Sequence, residues 1–333
     1  MNLFREILAR FPHKGLVYSF AYGSAVKRQS GYEAETQKNN IIDLIFCVTD
    51  SHEWHALNQE KHPSHYSGLQ LLGSKFIAGY QDRLSAGVYF NTLVPLSDIG
   101  VTIKYGVVSR QNLLKDLMDW DYLYLAGRLQ KPVLNIVSAS SEDLNKALQR
   151  NLLNAFQVAL LLLPERFSDF ELFHTICNLS YRGDFRMIFG ENKNKVRNIV
   201  QAQSKDFFQL YRPAIQQLSD YIAVDFDAKE LGSGRPIIQF EQDKSTAANE
   251  FHLRSAPARL RACLIKNSAY RGSYVDIVEH IANGHNLREI VEVSVNDIVW
   301  WSSITQSVKN ILAAGLLKSA VYSYRKATKT FDK

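Results

Sequence analysis

Asp43 is the residue whose position most strongly indicates chemistry. It interrupts an otherwise continuous apolar run at positions 41–48, which predicts a β-strand. A carboxylate within an apolar strand is costly to bury unless a strong partner compensates for its lost hydration. A metal ion at the end of the strand is one such partner. A backbone hydrogen bond at a strand edge is another, and Asp43 alone does not distinguish the two.

A second feature precedes this strand. The run at positions 16–22 is apolar and aromatic, and it ends at Gly23 and Ser24, which predicts a strand leading into a tight turn. This order, followed by a strand that carries an aspartate, resembles the layout of polymerase-β-like nucleotidyltransferases. In that layout glycine lets the backbone approach a triphosphate. The serine hydroxyl and the following amides hold phosphate oxygens at a helix N-terminus.

The sequence departs from that layout at the metal site. Such enzymes usually carry two carboxylates two residues apart, whereas Ile41 and Ile45 stand at those distances from Asp43. The spacing from Ser24 to Asp43 is also long. We therefore expect either a second carboxylate from elsewhere, with Asp184 as the candidate, or coordination of Mg²⁺ completed by triphosphate oxygens and water.

Other polar side chains occur where an anion could be bound. Lys104 lies within the predicted strand at 101–109, where a lysine is uncommon unless it meets an anion or an edge exposes it. His55, Asn58 and His65 follow the Asp43 strand. They indicate either a metal or phosphate site or a loop held by histidine hydrogen bonds, and the sequence leaves both open.

A second group of cations lies further along the chain. Arg128 and Lys131 flank a predicted turn, which fits a phosphate-binding site, although solvated surface charge gives the same pattern. Asp184 and Arg186 follow Gly183. They indicate a helix cap with a surface arginine, or a carboxylate that a helical domain brings to the active face.

The order of elements predicts an α+β protein of three segments. Residues 1–140 form a mixed α and β domain, because strand patterns recur at 16–22, 41–48, 87–94, 101–109 and 132–137. Residues 141–250 form a helical domain, with a linker or exposed loop from 226 onward. Residues 251–333 are helical and become basic. The amphipathic start, residues 1–14, fits a first helix of the fold better than a targeting helix, because it contains Glu6 and leads directly into a strand.

Composition and charge indicate an anionic partner but do not identify which one. The chain has 333 residues and a formal net charge of +6, which suits an anionic partner such as a membrane surface, a polyphosphate or a nucleic acid. Its three scattered cysteines form neither a disulfide framework nor a zinc motif. No apolar run approaches the roughly 20 residues that a membrane span needs, so we expect a soluble or peripheral protein.

The C-terminal segment combines cations with an apolar face. Ile304, Val308, Ile311, Leu312 and Leu316 recur at helical spacing. Such a helix either lies in an anionic membrane interface or packs on the protein's own core. The segment contains one acidic residue, Asp332, and its basic residues are Lys309, Lys318, Arg325, Lys326, Lys329 and Lys333.

Short motifs spread along the chain are specific when taken together. They are Tyr22-Gly23-Ser24, Asp43-Leu44-Ile45-Phe46, Trp54-His55 with Asn58, His65-Tyr66-Ser67, Gly87-Val88-Tyr89-Phe90-Asn91, Lys104-Tyr105-Gly106-Val107, the stretch from Leu123 to Pro132, Ser180-Tyr181 with Gly183-Asp184 and Arg186-Met187, and Gln306-Ser307 with Lys309. Through these motifs the chain resembles the mitochondrial translocator assembly and maintenance proteins. These are phosphatidate cytidylyltransferases, or CDP-diacylglycerol synthases, of the inner membrane.

The resemblance implies a fold and a set of ligands. It implies a polymerase-β-like nucleotidyltransferase domain with a mixed sheet, then a helical, winged-helix-like domain and a basic amphipathic C-terminal helix. It implies Mg²⁺ as cofactor, CTP and phosphatidic acid as substrates, and an anionic membrane rather than a nucleic acid as partner. The expected location is peripheral, on the matrix side of the mitochondrial inner membrane, where the product feeds cardiolipin and phosphatidylglycerol synthesis.

The resemblance also implies roles for residues. Asp43 and Lys104 are expected to be catalytic, with Asp43 and Asp184 as metal ligands and Arg128, Lys131 and Arg186 on the lipid phosphate. Two alternatives stay open: a nucleotidyltransferase with another acceptor, and a non-catalytic membrane adaptor that keeps a degenerate nucleotide site. The residues expected to bind the nucleotide are Tyr22, Gly23, Ser24, His55, Asn58, Lys104 and Tyr105.

Overall fold

The computed structural model describes residues 2–23, 41–189, 194–225, 230–231, 235–236 and 238–314. The chain divides into two compact units, each built from separate stretches of sequence. The three consecutive segments inferred from the sequence stay a prediction about domains, and the compact units divide the chain at other points. The first compact unit comprises Met1–Asp116, Val133–Lys146 and Ile304–Lys333, and we call it the sheet unit. The second compact unit comprises Leu117–Pro132 and Ala147–Ser303, and we call it the helical unit.

A mixed five-stranded sheet organises the sheet unit, so the predicted mixed α and β architecture is confirmed. The strand order is β3-β4-β2-β1-β5. Neighbours pair antiparallel except β2 and β4, which are parallel. All five strands fall where apolar runs predicted them: β1 Leu16–Tyr22, β2 Ile42–Val48, β3 Val88–Leu96, β4 Val101–Ser109 and β5 Leu134–Val137.

The N-terminal segment belongs to the core of the sheet unit. Helix α1 spans Asn2–Leu8, and Phe4, Ile7 and Phe11 are buried in one cluster with Leu44 of β2. This burial confirms the interpretation of the segment as a first helix of the fold. The other helices that contribute to this unit are α2 Ser51–Lys61, α3 Ser74–Arg83 and most of α4 Arg110–Asp119, with 3₁₀ turns at Pro63–His65 and Gly68–Leu72.

The helical unit surrounds a small sheet. Strands β6 Arg166–Ser168, β7 Ile222–Asp225 and β10 Gln239–Gln242 form this sheet in the order β6-β10-β7, and β8 Glu230–Leu231 pairs with β9 Arg235–Pro236. The helices, of which α6 begins and α13 ends in the sheet unit, are α5 Leu125–Leu129, α6 Glu142–Leu162, α7 Asp169–Asn178, α8 Arg186–Phe189, α9 Lys195–Gln217, α10 Thr246–Arg254, α11 Ala258–Asn267, α12 Tyr274–Asn283 and α13 Leu287–Ala314.

The predicted linker at 226–250 is wrong over its described second half. Strand β10 pairs with strands on both sides, and Phe240 at its centre is buried. Helix α10 then begins at Thr246, where the Ser245 hydroxyl accepts a hydrogen bond from the Ala248 amide as an N-cap. The polar composition misled the prediction because alternate residues of this short strand face solvent.

None of the helices in the described part of the chain combines the length and apolar character needed to cross a membrane.

Candidate functional site

Asp43 and Lys104 are neighbours on the two parallel strands of the sheet. The register of β2 and β4 pairs Asp43 directly with Lys104, and the Lys104 Nζ lies 3.5 Å from Asp43 Oδ1. Their side chains are 27% and 12% exposed, respectively. The Lys104 ammonium also lies 4.5 Å from the centroid of the Phe90 ring, a favourable cation–π arrangement. A half-buried carboxylate and a cation therefore meet at one place on the sheet.

The end of β1 completes this part of the site. Tyr22 pairs with Asp43 across the antiparallel ladder, and Gly23 follows with a φ of +86°. A side chain is strained at that φ, so glycine is required for the chain to turn here. A Cβ added at Gly23 would lie 3.5 Å from Asp43 Oδ2, which shows how closely the backbone passes the carboxylate. Ser24 lies outside the described residues.

The second metal-binding carboxylate that the sequence left open stays a prediction. Among the residues that the structure describes, no three His, Cys, Asp or Glu side chains come together as a ready metal site. Asp43 fits Mg²⁺ as a single protein ligand, because this ion commonly keeps water and takes substrate phosphate oxygens. We call Asp43, Lys104 and the turn at Gly23 the strand-end site.

Behind Lys104 lies a buried polar network. Asn58 Nδ2 donates to Tyr66 Oη and to Tyr105 Oη, each at 2.9 Å. His55 bonds Tyr66 Oη through Nδ1 and Gln81 Oε1 through Nε2, each at 2.8 Å. His55, Asn58 and Tyr105 are fully buried. Of the two interpretations left open by the sequence, this geometry favours histidines that lock a local structure, and direct contact with a nucleotide stays a prediction.

The network still matters for the strand-end site because Tyr105 directly follows Lys104 in β4. His65 Nδ1 also bonds Tyr105 Oη at 3.0 Å, so two helical elements hold this strand through one hydroxyl. Burial lowers the pKa of His55 to about 4, which keeps the ring neutral near neutral pH. The network therefore positions Lys104 rather than supplying charge.

The low pKa of His55 predicts acid sensitivity. The folded protein holds a neutral ring, whereas the unfolded chain protonates it below its ordinary value of 6.5. The unfolded state thus binds more protons between pH 6.5 and 4, and stability falls as pH falls through that window, by about 3 kcal/mol from this group. His252, whose pKa burial also lowers to about 4, adds a similar contribution in the helical unit.

We expect the thermal unfolding midpoint to fall between pH 6.5 and 4.5, and to fall less steeply in His55→Gln. His52→Gln is the matched control, because His52 lies on the same helix and is exposed. An equally steep fall in wild type and His55→Gln would contradict the assignment.

The helical unit contains Arg128 and Lys131, the two cations that the sequence analysis assigned to a phosphate-binding turn. Lys131 Nζ donates to Ser180 Oγ at 2.7 Å and to the Gly127 carbonyl. The Arg128 guanidinium stacks 3.9 Å from the centroid of the Tyr124 ring. Burial, together with smaller contributions from the nearby Arg128 and Lys195, lowers the pKa of Lys131 to about 8. Mutual repulsion of this kind marks a place where an anion would be stabilised.

Lys195 was missed by the sequence analysis. Its ammonium lies 4.9 Å from the centroid of the Tyr181 ring, and that of Lys131 lies 5.2 Å from the same ring. The Tyr181 ring lies close to both ammonium groups, and no local motif in the sequence predicts this arrangement. We call Arg128, Lys131, Arg186 and Lys195 the cationic cluster. Arg186 is included because its guanidinium is close enough to Arg128 for the two to repel each other, although its hydrogen bonds to Asp184 leave the pKa of Arg186 raised overall.

Asp184 holds Arg186 within this unit. Arg186 Nε donates to Asp184 Oδ1 at 2.9 Å, and its Nη2 donates to Oδ2 at 2.5 Å. The Asp184 side chain is almost fully buried. Both carboxylate oxygens are engaged by one guanidinium, a strong bidentate arrangement. The role of Asp184 as a metal ligand stays a prediction.

A close contact at Gly127 supports the cationic cluster. A Cβ at this position would clash with Cβ of Ser180, the residue whose hydroxyl binds Lys131. We expect Gly127→Ala to destabilise the protein by about 1–3 kcal/mol through overpacking, and to weaken use of a phosphate-bearing ligand by displacing Lys131. Thermal unfolding and steady-state kinetics test this. Gly79→Ala is the control, because a Cβ there meets nothing within 4 Å; equal behaviour of the two variants would refute the prediction.

One cation predicted for the basic tail is not available to an external partner. Lys309 is buried, and its ammonium donates to the carbonyls of Gln81 and Leu84 at 2.8 and 2.6 Å. These carbonyls end helix α3, where a cation is favourable. The remaining basic residues of the tail, from Lys318 onward, lie outside the described residues.

Comparison with known proteins places the chain among nucleotidyl-transferring enzymes. A family model described as "Phosphatidate cytidylyltransferase, mitochondrial" matches residues 4–329. The chain belongs to this family. It is 57% identical over 339 residues to a Drosophila melanogaster protein of that name, covering 99% of each chain. A Mus musculus relative is 41% identical over 98% of this chain and 93% of its own, and a Caenorhabditis briggsae relative is 34% identical over 99% and 98%.

Proposed function

We propose that this chain is a phosphatidate cytidylyltransferase that works at the strand-end site. It joins CTP and phosphatidic acid into CDP-diacylglycerol and releases pyrophosphate. The observation that carries the assignment of the site is the pairing of Asp43 with Lys104, 3.5 Å apart beside the turn at Gly23. Family membership supports the reaction, since the relatives share the name of that activity.

The reaction needs little help from a general base. The phosphate of phosphatidic acid is a monoester whose second pKa is about 6, so it is largely dianionic near neutral pH. One of its oxygens attacks the α-phosphorus of CTP, a new P–O bond forms, and the bond to the β-phosphate oxygen breaks as pyrophosphate leaves. Catalysis is then positioning and charge neutralisation.

Each residue of the strand-end site has a role in this scheme. Asp43 would hold Mg²⁺, which when bound would act as a Lewis acid and neutralise charge on the triphosphate. Lys104 exchanges part of its contact with Asp43 for a phosphate oxygen. Gly23 allows the backbone to approach the triphosphate, and Ser24 donates its hydroxyl there. The buried network at Tyr105 keeps Lys104 in place.

The cationic cluster is assigned to the phosphate of a lipid. Arg128 and Lys131 lie in a rigid helical turn, and Arg186 is pre-oriented by Asp184. Cations that are already ordered lose less entropy when they bind a phosphate. This argument supports the headgroup role, with Lys195 as an additional member.

Fold and location follow as finer parts of the proposal. The antiparallel pair β1 and β2, with the turn at Gly23 and an aspartate, supports a polymerase-β-like domain, and the small sheet among helices supports a winged-helix-like one. The relatives are named mitochondrial, which supports a mitochondrial location, and the proposal refines this to a peripheral position on the matrix side of the inner membrane. There the product would serve cardiolipin and phosphatidylglycerol synthesis, without a nucleic acid partner.

The test is purified protein with labelled CTP, Mg²⁺ and phosphatidic acid vesicles, with diacylglycerol, a protein and an RNA offered in parallel as other acceptors. We expect labelled CDP-diacylglycerol and pyrophosphate only with phosphatidic acid. Transfer to another acceptor would favour the rival nucleotidyltransferase. Absence of any CTP turnover would favour the adaptor.

A further inference from the structure

Large apolar side chains are exposed on three elements of the sheet unit. Leu71 and Leu72 end a 3₁₀ turn and are 87% and 58% exposed, and Phe76 on the following helix is 43% exposed. On the last turns of α13, Val308, Ile311 and Leu312 are 54%, 44% and 58% exposed. Single exposed apolar residues are common, so these side chains form one interaction surface only where the elements that carry them are adjacent. We call these six residues the apolar corner.

Helices α3 and α13 pack against each other through hydrogen bonds and a shared apolar cluster. Tyr80 Oη donates to the Lys309 carbonyl at 2.9 Å, and the buried Lys309 ammonium binds the carbonyls that end α3. Ala313, further along α13, is buried in one cluster with Ile77, one turn into α3. The two helices therefore run antiparallel, and the exposed residues of both flank a single buried contact.

The turn that carries Leu71 and Leu72 has no core of its own. None of the residues in the 3₁₀ turn Gly68–Leu72 is buried. The turn ends at Gly73, whose φ of +82° redirects the chain into α3. The backbone thus presents the two leucines outward by construction, because hydrogen bonds at Gln70 and Gly73 close the turn.

The surrounding charge indicates the occupant. Lys75 is exposed beside Phe76. The chain that continues after the apolar corner carries Lys318, Arg325, Lys326 and Lys329 before its first acid, Asp332. An apolar surface with an exposed lysine, followed in sequence by a basic segment, is typical of proteins that enter an anionic lipid interface.

We infer that the apolar corner is a bilayer-insertion surface, through which the unit carrying Asp43 and Lys104 docks on anionic lipid. The inference rests on the proposed function in one respect, namely that the acceptor lipid lies in a membrane. It adds a contact, at Leu71, Leu72 and Phe76, far in sequence from the basic tail. Insertion of this turn would hold the sheet unit at the membrane interface in addition to any reversible binding by the tail.

The first experiment reports the location of the turn directly. The native cysteines are all buried, so Leu71→Cys is labelled selectively with an environment-sensitive fluorophore. Vesicles of phosphatidylcholine with phosphatidic acid should shift its emission to the blue, and lipids brominated on the acyl chains should quench it. Glu60→Cys, on an exposed position of α2, should show neither. Absence of quenching at Leu71→Cys on vesicles that sediment the protein would overturn the inference.

The second experiment measures what the corner contributes. In Leu71→Ser/Leu72→Ser/Phe76→Ser we expect vesicle partitioning to fall at least about tenfold, while turnover of short-chain, soluble phosphatidic acid is kept. Val275→Ser, an equally exposed apolar position in the helical unit, should change neither. Unchanged partitioning of the triple variant would overturn the inference. So would a loss of self-association by size, with vesicle binding intact, since that result would identify a second copy as the occupant.

The vesicle measurements test the bilayer-insertion surface independently of the proposed enzymatic function. Vesicle partitioning and quenching are measured without CTP, so they remain interpretable if wild-type protein fails to make CDP-diacylglycerol. Conversely, normal synthesis on both soluble and vesicle lipid in the triple variant, with unchanged partitioning, would keep the proposed function and remove the bilayer-insertion surface.

Discussion

Replacing Asp43 with asparagine is expected to lower kcat for CDP-diacylglycerol synthesis by about three orders of magnitude, or about 4 kcal/mol. The amide keeps the size of the side chain but loses the negative charge that would hold Mg²⁺. The described residues bring no group of three or more metal-binding side chains together, so the proposed site depends on this carboxylate. The apparent affinity for Mg²⁺ should fall along with the rate.

The measurement is initial rate against Mg²⁺ concentration for purified protein, with thermal unfolding followed alongside. Asp98→Asn is the matched control, because Asp98 lies in the same unit and forms an exposed ion pair with Arg10. We expect the control to keep normal kinetics. Near-normal activity of Asp43→Asn would mean that Asp43 is structural and that the metal lies elsewhere.

Replacing Lys104 with methionine is expected to cost about 10²-fold in kcat, since a pre-organised cation is removed from the charge that develops on the triphosphate. Methionine keeps a side chain of similar length at this position but removes the ammonium that lies over Phe90. Lys104→Arg should recover part of the rate, because it restores the charge with a different geometry. Rate and KM for CTP are measured together, and an effect on KM alone would assign Lys104 to ground-state binding only.

The double variant Asp43→Asn/Lys104→Met separates catalysis from a structural ion pair. If the two residues only neutralise each other, removing both should restore what either single change costs, because no unpaired charge remains. If they act on Mg²⁺ and triphosphate, the double variant should recover stability without recovering turnover. Activity close to wild type in the double variant would therefore defeat the proposed role of both residues.

The sequence by itself determined the local elements and the residues that could carry chemistry. Each strand of the five-stranded sheet is visible as an apolar run, because burial on both faces or on one face leaves a pattern in neighbouring positions. Asp43 stands out because it breaks such a run. The turn at Gly23 is visible because only glycine adopts its positive φ without strain. Arg128 and Lys131 stand out as cations on either side of one turn.

Tertiary structure alone decided which of these residues meet. The pairing of Asp43 with Lys104 depends on the register of two parallel strands that are remote in sequence, and register is a non-local property. The same holds for Lys195, which the fold places beside the Tyr181 ring and near Lys131. Lys309 shows the reverse: its charge suggested a surface role, but two carbonyls at the end of α3 bind it in the interior.

Burial was likewise decided by packing. His55, Asn58 and Tyr105 have side chains that commonly bind ligands, and no local pattern reveals that they bond one another away from solvent. Strand β10 read as a linker because its polar residues face water, and only its partners on both sides make it a strand. Local composition sets what a segment is able to form, whereas the free energy of contacts between distant segments selects what it does form.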